Sequence, residues 1–462
     1  MKRSLVSVSL ATLIITGCAN NPLKSYKQTT DSRFQQISSG NLLAAMQAES
    51  TNDVLFNMEY GTLLRINQDY ESSNRYFTIA QSSIDAWVTS WSNTTAGQIG
   101  KTTMSMLIND SVNDYDPKSY EKTFLPTMHA LNNADLNNLN NARIEIKKMY
   151  QTEIALENYN QYMYNQAQTE AANYQKDKQQ SNLYSQITQK YDFKDINSPE
   201  VLALKNSYQN AFSHYLAGFI FEALNEPSLA RPGYVKAGQL QPTSKLIQQS
   251  IDNIDKNKRP AKGYTDLLIV EEVGHAPLVK SNQINIPFNI SMGANNASCP
   301  VVLNVFYPSL IPDKINNSSY TINFDNNYLN PEKFTDVDLM AARAIKDDIP
   351  RITARNIAAA VRNIATTQAS CSAGGNLGSL LNLTANIGGI LLDNIDERNW
   401  NLLPSKINVS RTTVAYGKHT ISVNVNGTNY TKTIELNQPY QIITFRILKN
   451  QVFFDTQKPL AK

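Results

Sequence analysis

The stretch AFSHYLAGFIFEALNEPSLARPGYVKAGQLQPTS, residues 211–244, decides the fold class of the first half of this chain. Gly218, Phe221, Ala230, Tyr234, Ala237 and Pro242 fall in it at alternating small and large places that end in a helix stop. Such spacing suits two antiparallel helices. Glycine and alanine let the backbones approach, the aromatic ring fills the gap, and proline, without an N–H, ends the second helix. The unit is 34 residues long, a period at which helical hairpins recur and stack.

Outward from this unit, residues 54–87 carry Gly61, Tyr70, Phe77 and Ala80 at tetratricopeptide-like places. A weaker copy holds Ala130, Ala142, Ile146 and Met149, with asparagine where the pattern calls for apolar side chains. Stacked hairpins share one core and offer a concave side that commonly takes protein segments. Between the copies, Met149, Leu156, Tyr159, Met163, Ala167 and Ala171 keep helical spacing, which predicts one long helix or a hairpin over Arg143–Tyr191. Tyr150, Tyr162, Tyr164 and Tyr184 lie partly off that stripe. They mark either a partner-binding face or packing against the flanking repeats.

Composition changes at Pro260-Ala261-Lys262-Gly263. Thr265–Val273, Asn282–Ser291 and Pro300–Tyr307 alternate or run apolar, as strands do. Phe334–Thr366 returns to helical period, with Arg343, Arg351, Arg355 and Arg362 read as a solvated face pairing locally with Asp347 and Asp348. Leu377–Leu392 is apolar but short for spanning a membrane, and reads as a buried helix rather than a membrane-touching one. Lys406–Ala415, Lys418–Asn426, Thr431–Leu436 and Tyr440–Leu448 are expected as a final antiparallel set with hairpin turns at Tyr416-Gly417 and Asn426-Gly427. The expected fold is therefore α+β: tetratricopeptide-like helices over 50–258, then an antiparallel β domain over 264–455 with a helical insertion at about 334–395.

The amino end adds a cell address. Met1-Lys2-Arg3 is a basic n-region and Leu5–Ile15 an apolar h-region, too short to span. Ile15-Thr16-Gly17-Cys18 closes it and looks like a lipobox, so residues 1–17 read as a lipoprotein signal peptide. Cys18 would carry diacylglycerol on its thiol and a further acyl chain, such as palmitate, on its amine. Two or more chains anchor stably where one does not. Ala19, rather than aspartate, argues for the outer membrane facing the periplasm, and residues 18–49 for a flexible tether. Cys299 and Cys371 are the remaining cysteines; in an oxidising compartment they either bridge or stay free thiols.

The formal charge of +3 falls to +1 once Lys2 and Arg3 leave, which gives no electrostatic case for nucleic acid. His129, His214, His275 and His419 stand far apart, and HExxH, GxSxG, SxxK and EF-hand spacings do not occur. Gly100-Lys101-Thr102 has Thr95 where a phosphate-binding loop needs its first glycine. No metal or other cofactor is called for, and catalysis is not expected. Asp396, Glu397, Arg398 and Trp400 form the densest polar and aromatic cluster outside the repeats; Arg398 is expected on a carboxylate and Trp400 in the core.

Together these residues resemble a poorly characterised family of bacterial envelope lipoproteins with a tetratricopeptide-like first half. The resemblance is carried by the lipobox through Cys18, Tyr115–Glu121, Ala130-Leu131-Asn132, Ala142-Arg143-Ile144-Glu145 and the Gly218 repeat. It continues in Val270-Glu271-Glu272 with Gly274 and Pro277, Asp396–Trp400 with Leu403-Pro404, and Gly417-Lys418-His419. It implies an envelope location. The resulting expectation is a membrane-anchored scaffold that binds envelope proteins through its repeats. Two alternatives are an envelope enzyme, such as a cell-wall hydrolase, and a structural subunit of an outer-membrane assembly.

Overall fold

The computed structural model describes residues 32–33, 35–37, 39, 41–45, 53–92, 115–176, 181, 185–187, 189, 194–292, 297–313, 320–373 and 395–454. Cys18, Tyr184 and Leu377–Leu392 lie outside them. The chain is α+β, with helices first and sheets after.

Three helical hairpins build the first half: α1 (Val54–Ile66) with α2 (Tyr70–Ser92), α3 (Ser119–Asp135) with α4 (Leu139–Lys176), and α5 (Ala211–Ala223) with α6 (Pro227–Leu240). Each turns through one left-handed residue, Gln68, Asn137 and Asn225 at φ 58°, 56° and 62°. The closing hydrogen bonds repeat too: Asp69 N to Leu64 O, Asn138 N to Asn133 O and Glu226 N to Phe221 O. At the crossing, a Cβ on Gly61 would stand 2.6 Å from the Phe77 ring and one on Gly218 2.6 Å from Tyr234. The equivalent places in the second hairpin hold Ala130 and Ile146, both fully buried. A larger residue on the first helix thus goes with a smaller one on the second, as close packing demands. Ala80, Ala142, Met149, Ala230 and Ala237 are also fully buried, and Pro242 follows the end of α6.

The asparagines of the second copy bond the hairpins to each other. Asn132 donates to Ser73 Oγ at 2.8 Å and to Asn74 Oδ1 at 2.9 Å, and Asn74 donates to Asn133 at 3.3 Å. Helix α7 (Lys245–Asp255) packs on α6 and ends the helical half.

In the second half, β1 (Tyr264–Val273) is the centre of a five-stranded sheet ordered β11-β10-β1-β7-β6, where β6 is Glu332–Asp336, β7 Lys406–Ala415, β10 Tyr440–Leu448 and β11 Gln451–Phe453. A four-stranded sheet holds β5 (Asn327–Leu329), β4 (Tyr320–Phe324), β8 (Gly417–Val425) and β9 (Thr428–Leu436), in that order. β2 (Leu278–Met292) and β3 (Ala297–Ile311) form a long two-stranded arm beside α8 (Val337–Ala373).

Several boundaries and pairings differ from the sequence reading. Residues 406–448 do not form one antiparallel set: β7 and β10 flank β1 in one sheet, β8 and β9 belong to the other, and β10 runs parallel to β1. Asn426-Gly427 is a hairpin turn, with φ 50° and 85°, as a type I′ turn requires. Tyr416-Gly417 is instead the corner where the chain leaves one sheet for the other. Phe334 lies in β6, so the helical insertion begins three residues later.

The sheet's two-residue period sorts its side chains between layers. Leu268, Val270, Ile407 and Val409 pack with the helices, while Leu267, Ile269, Phe445 and Ile447 pack with Ile322, Phe324, Ile421 and Val423 of the smaller sheet. The layers run helices, large sheet, small sheet. Both expected domains thus share one core, because neither the concave helical side nor the inner face of β1 is left to water. Part of the expected tether also belongs to the body: Ile37, Leu42 and Ala45 are buried with Leu63, Ile66, Leu402, Leu448 and Phe453.

Candidate functional site

The concave side of the first two hairpins holds a segment of the same chain, Ile395–Ser405. Trp400 is fully buried; its indole donates to Thr62 Oγ1 at 2.8 Å and its ring meets Phe77 edge-on at 6.0 Å. Two carboxylates from the hairpins receive three successive backbone N–H groups. Glu121 of α3 takes Trp400 N at 2.7 Å; Glu59 of α1 takes Asn401 N at 2.6 Å and Leu402 N at 3.1 Å. Burial pushes Glu59 up to about 7 and raises Glu121, although the N–H groups and the Tyr115 hydroxyl oppose the rise. Glu121 also accepts from Lys118 N, closing the start of its own helix.

Beside this segment lies a buried ionic cluster. Arg65 of α1 bonds Glu272 of β1 at 2.9 Å and Asp135 of α3 at 3.2 Å, while Thr444 of β10 donates to Asp135 at 3.0 Å. Arg446 reaches Leu402 O at 2.7 Å and Gly274 O at 2.6 Å. Burial raises Asp135 to about 6 and lowers Arg446 to about 10. Burial works against the charge on Arg65 as well, but Glu272 and Asp135 outweigh it and its pKa rises. The Arg65 guanidinium lies over the ring of Tyr70, at the start of α2, 5.4 Å from its centroid.

A second cluster joins the third hairpin to the sheet. Arg411 of β7 is held by Asp266 at 2.7 and 2.8 Å, Glu222 at 3.0 Å and the Tyr234 hydroxyl at 3.0 Å. Tyr440 donates to Glu222 at 3.3 Å. Between the sheets, Glu271 accepts from the hydroxyls of Tyr320, at 2.8 Å, and Ser410, at 3.3 Å, and burial pushes it up to about 8.

These groups hold backbone and each other. Beside Arg65, Tyr70, Glu272 and Arg446 is a void of about 10 Å³, room for one water. A larger groove of about 280 Å³ lies between α6 and α7, lined by Val235, Gln239, Pro242, Ile247, Gln248 and Ile251. The four histidines remain apart: His129 faces Glu145 at 3.4 Å, His214 faces Glu153 at 3.0 Å, His275 faces Asp313 at 3.5 Å and His419 contacts Asp325. Among the described residues, no three His, Cys, Asp or Glu side chains group as a metal site.

Sequence reading located Trp400 and paired Arg398 with a carboxylate, here Asp396 at 2.8 Å. The local pairs of the α8 arginines also form, Arg343 with Asp347 at 2.8 Å and Arg351 with Asp348 at 2.6 Å. Tyr150 stacks on His214 and Tyr162 meets Trp91 at a tilt of 50°, whereas Tyr164 is exposed. Cys299 lies on β3 and Cys371 in α8; their side chains, and so their pairing, lie outside what is described. Glu59, Glu121, Arg65, Glu272, Arg411 and Glu222 were missed as a seam. Charged residues at inward helical positions, such as Glu59 and Arg65 within an apolar run, were the signal available. No family model, no curated protein and no solved structure matches this chain.

Proposed function

We propose that this chain is a lipid-anchored envelope scaffold that meets its partners through the outer row of second helices, not through the concave side of its hairpins. The carrying observation is that the concave side is occupied by Ile395–Ser405 and the large sheet. A partner entering there would expel Trp400 and strand several buried charges, each uncompensated ion costing about 3–5 kcal/mol. The outer row is open: Ile79 of α2, Ile144, Ile154 and Tyr164 of α4 and Leu229 of α6 are exposed apolar side chains. Ile144 and Ile154 share a stripe of α4 with Lys147 and Gln151, both also exposed, and such mixed faces suit moderate protein association.

Support for the anchor comes from the order basic n-region, apolar h-region and Ile15-Thr16-Gly17-Cys18. Among the described residues, no helix is long and apolar enough to cross a membrane. The outer membrane, facing the periplasm, is the location this reading favours, through Ala19.

Photo-crosslinking groups placed at Ile144 and Ile154 in intact cells test the reading, with Thr62 in the closed groove as control. Partner adducts should form from the two α4 positions and not from Thr62. Adducts from Thr62 alone would return recognition to the groove, and adducts from neither would remove the scaffold reading.

A further inference from the structure

The small sheet ends on β9, and the side of β9 away from β8 has no neighbouring strand among the described residues. The ladder fixes which groups face that side. Asp325 N donates to Thr420 O at 2.9 Å, so the even-numbered residues of β8 serve β4 and the odd-numbered ones serve β9. Opposite those, Thr428, Tyr430, Lys432 and Ile434 bond back to β8. The N–H and C=O groups of Asn429, Thr431 and Thr433 therefore point off the edge, and all three residues are exposed. Glu435 points the same way, but the Gln441 amide donates to its carbonyl at 3.4 Å and closes that end.

Soluble proteins usually guard such an edge by shortness, a bulge, proline or charge. The other strand edges here are guarded in those ways. β5 and β11 have three residues each, β6 is bulged between Lys333 and Thr335, and the β2–β3 arm carries Pro287, Pro300 and Pro308. Where β10 runs past β11, Tyr440 and Thr444 are buried; where β7 runs past β6, it carries Arg411. By contrast, Asn429-Tyr430-Thr431-Lys432-Thr433 has no proline and sends no charge off the edge. Its lysine turns inward, where Gln68 Oε1 already accepts from the ammonium at 3.0 Å.

An antiparallel copy of the same strand fits this edge. With Thr431 set opposite its own copy, Asn429 faces Thr433, Tyr430 faces Lys432 and Glu435 falls opposite Gly427, so no like charges meet. Facing pairs of outward residues then exchange both of their backbone hydrogen bonds. Moving the centre one residue toward the carboxyl end would instead set Lys432 against Lys432. We propose that β9 pairs with β9 of a second copy of this chain across a two-fold axis, joining the two small sheets into one. The helices form the opposite outer layer, so both copies keep their row of second helices free for partners. Strand pairing alone buries little area, and the pair is accordingly concentration-dependent. It does not need the lipid anchor.

The test introduces single cysteines into the full chain and treats the purified protein with a mild oxidant at rising protein concentration. Thr431→Cys sets two thiols on facing residues whose Cα atoms stand about 5.5 Å apart, inside disulfide range. Linked pairs should form several-fold above the unsubstituted chain, whose Cys299 and Cys371 supply the background. Thr433→Cys alone should stay at background, because its copy lies roughly 13 Å along the paired strand. An equal mixture of Thr433→Cys and Asn429→Cys chains should link, and it decides the matter should Thr431→Cys fail to fold. Background linking by Thr431→Cys and by the mixture would overturn the pairing. Linking by Thr433→Cys alone to the same extent would also overturn it, as a report of random collision. A Thr431→Cys adduct formed in cells with a different protein, in place of the copy, would give the edge to another strand and refute the second copy.

Discussion

Trp400 fills the groove of the first two hairpins with its ring and ties itself there through its backbone N–H and its indole N–H. Trp400→Ala should cost about 3–5 kcal/mol, measured as a lower urea midpoint at unchanged slope, and Trp400→Phe clearly less. The buried carboxyls set the pH response. Glu59, Glu271 and Asp135 have folded pKa values of about 7, 8 and 6, above their ordinary values, so the folded chain holds protons that the unfolded chain has released. Their contribution is complete below about pH 4 and is lost as pH rises through 6 to 8. His275, lowered by burial, acts in the opposite sense. Thermal stability should therefore rise from pH 8 to pH 5.5, and Glu271→Gln should flatten the upper part of that profile. A melting temperature that falls over this range would refute the assignment. None of this was legible beforehand: Val270-Glu271-Glu272 reads as two adjacent acids, and only the pleat sends one between the sheets and the other toward Arg65.

Among the elements, the hairpins of the Gly61 and Gly218 units were legible because close helix contact admits few side chains, so the small positions stand out in the sequence. The second unit was faint because it meets the same contact with Ala130 and Ile146. That exchange can be tested directly. Gly61→Ala alone should destabilise by about 1–3 kcal/mol, since the new methyl meets the Phe77 ring. Adding Phe77→Ile, in imitation of the second hairpin, should leave the double variant more stable than the two single costs predict. Denaturant melts around the four-member cycle supply the coupling, and simple additivity would refute shared packing. Strand boundaries were legible where apolar alternation was strong. The split of the last strands between two sheets was not, because β7 through β10 have similar patterns and the corner at Tyr416-Gly417 resembles a hairpin turn in composition.

For the molecule as a whole, the sequence suggested two domains because composition changes near Pro260, but that boundary separates only chain segments, not cores. Arg65 and Arg411 each join helix carboxylates to strand carboxylates across the seam. Arg411→Met should therefore lower the far-ultraviolet melt of the helices and the near-ultraviolet melt of the aromatic core together, by about 3–5 kcal/mol. Two separated transitions would show that the halves fold independently. Sequence patterns report periodicity within an element and are silent on which face of one half meets the other.

The parallel pairing of β1 with β10 has a further consequence for a chain made amino end first. When residues 264–273 emerge, the strands that will flank them, at 406–415 and 440–448, have yet to be synthesised. Until residues 395–405 arrive, the acidic pockets of the early helices face solvent with no occupant, and until residues 406–448 arrive the central strand lacks its neighbours. Maturation must therefore be late and abrupt, and a nascent chain stalled before Tyr440 would be a ready target for quality-control proteases.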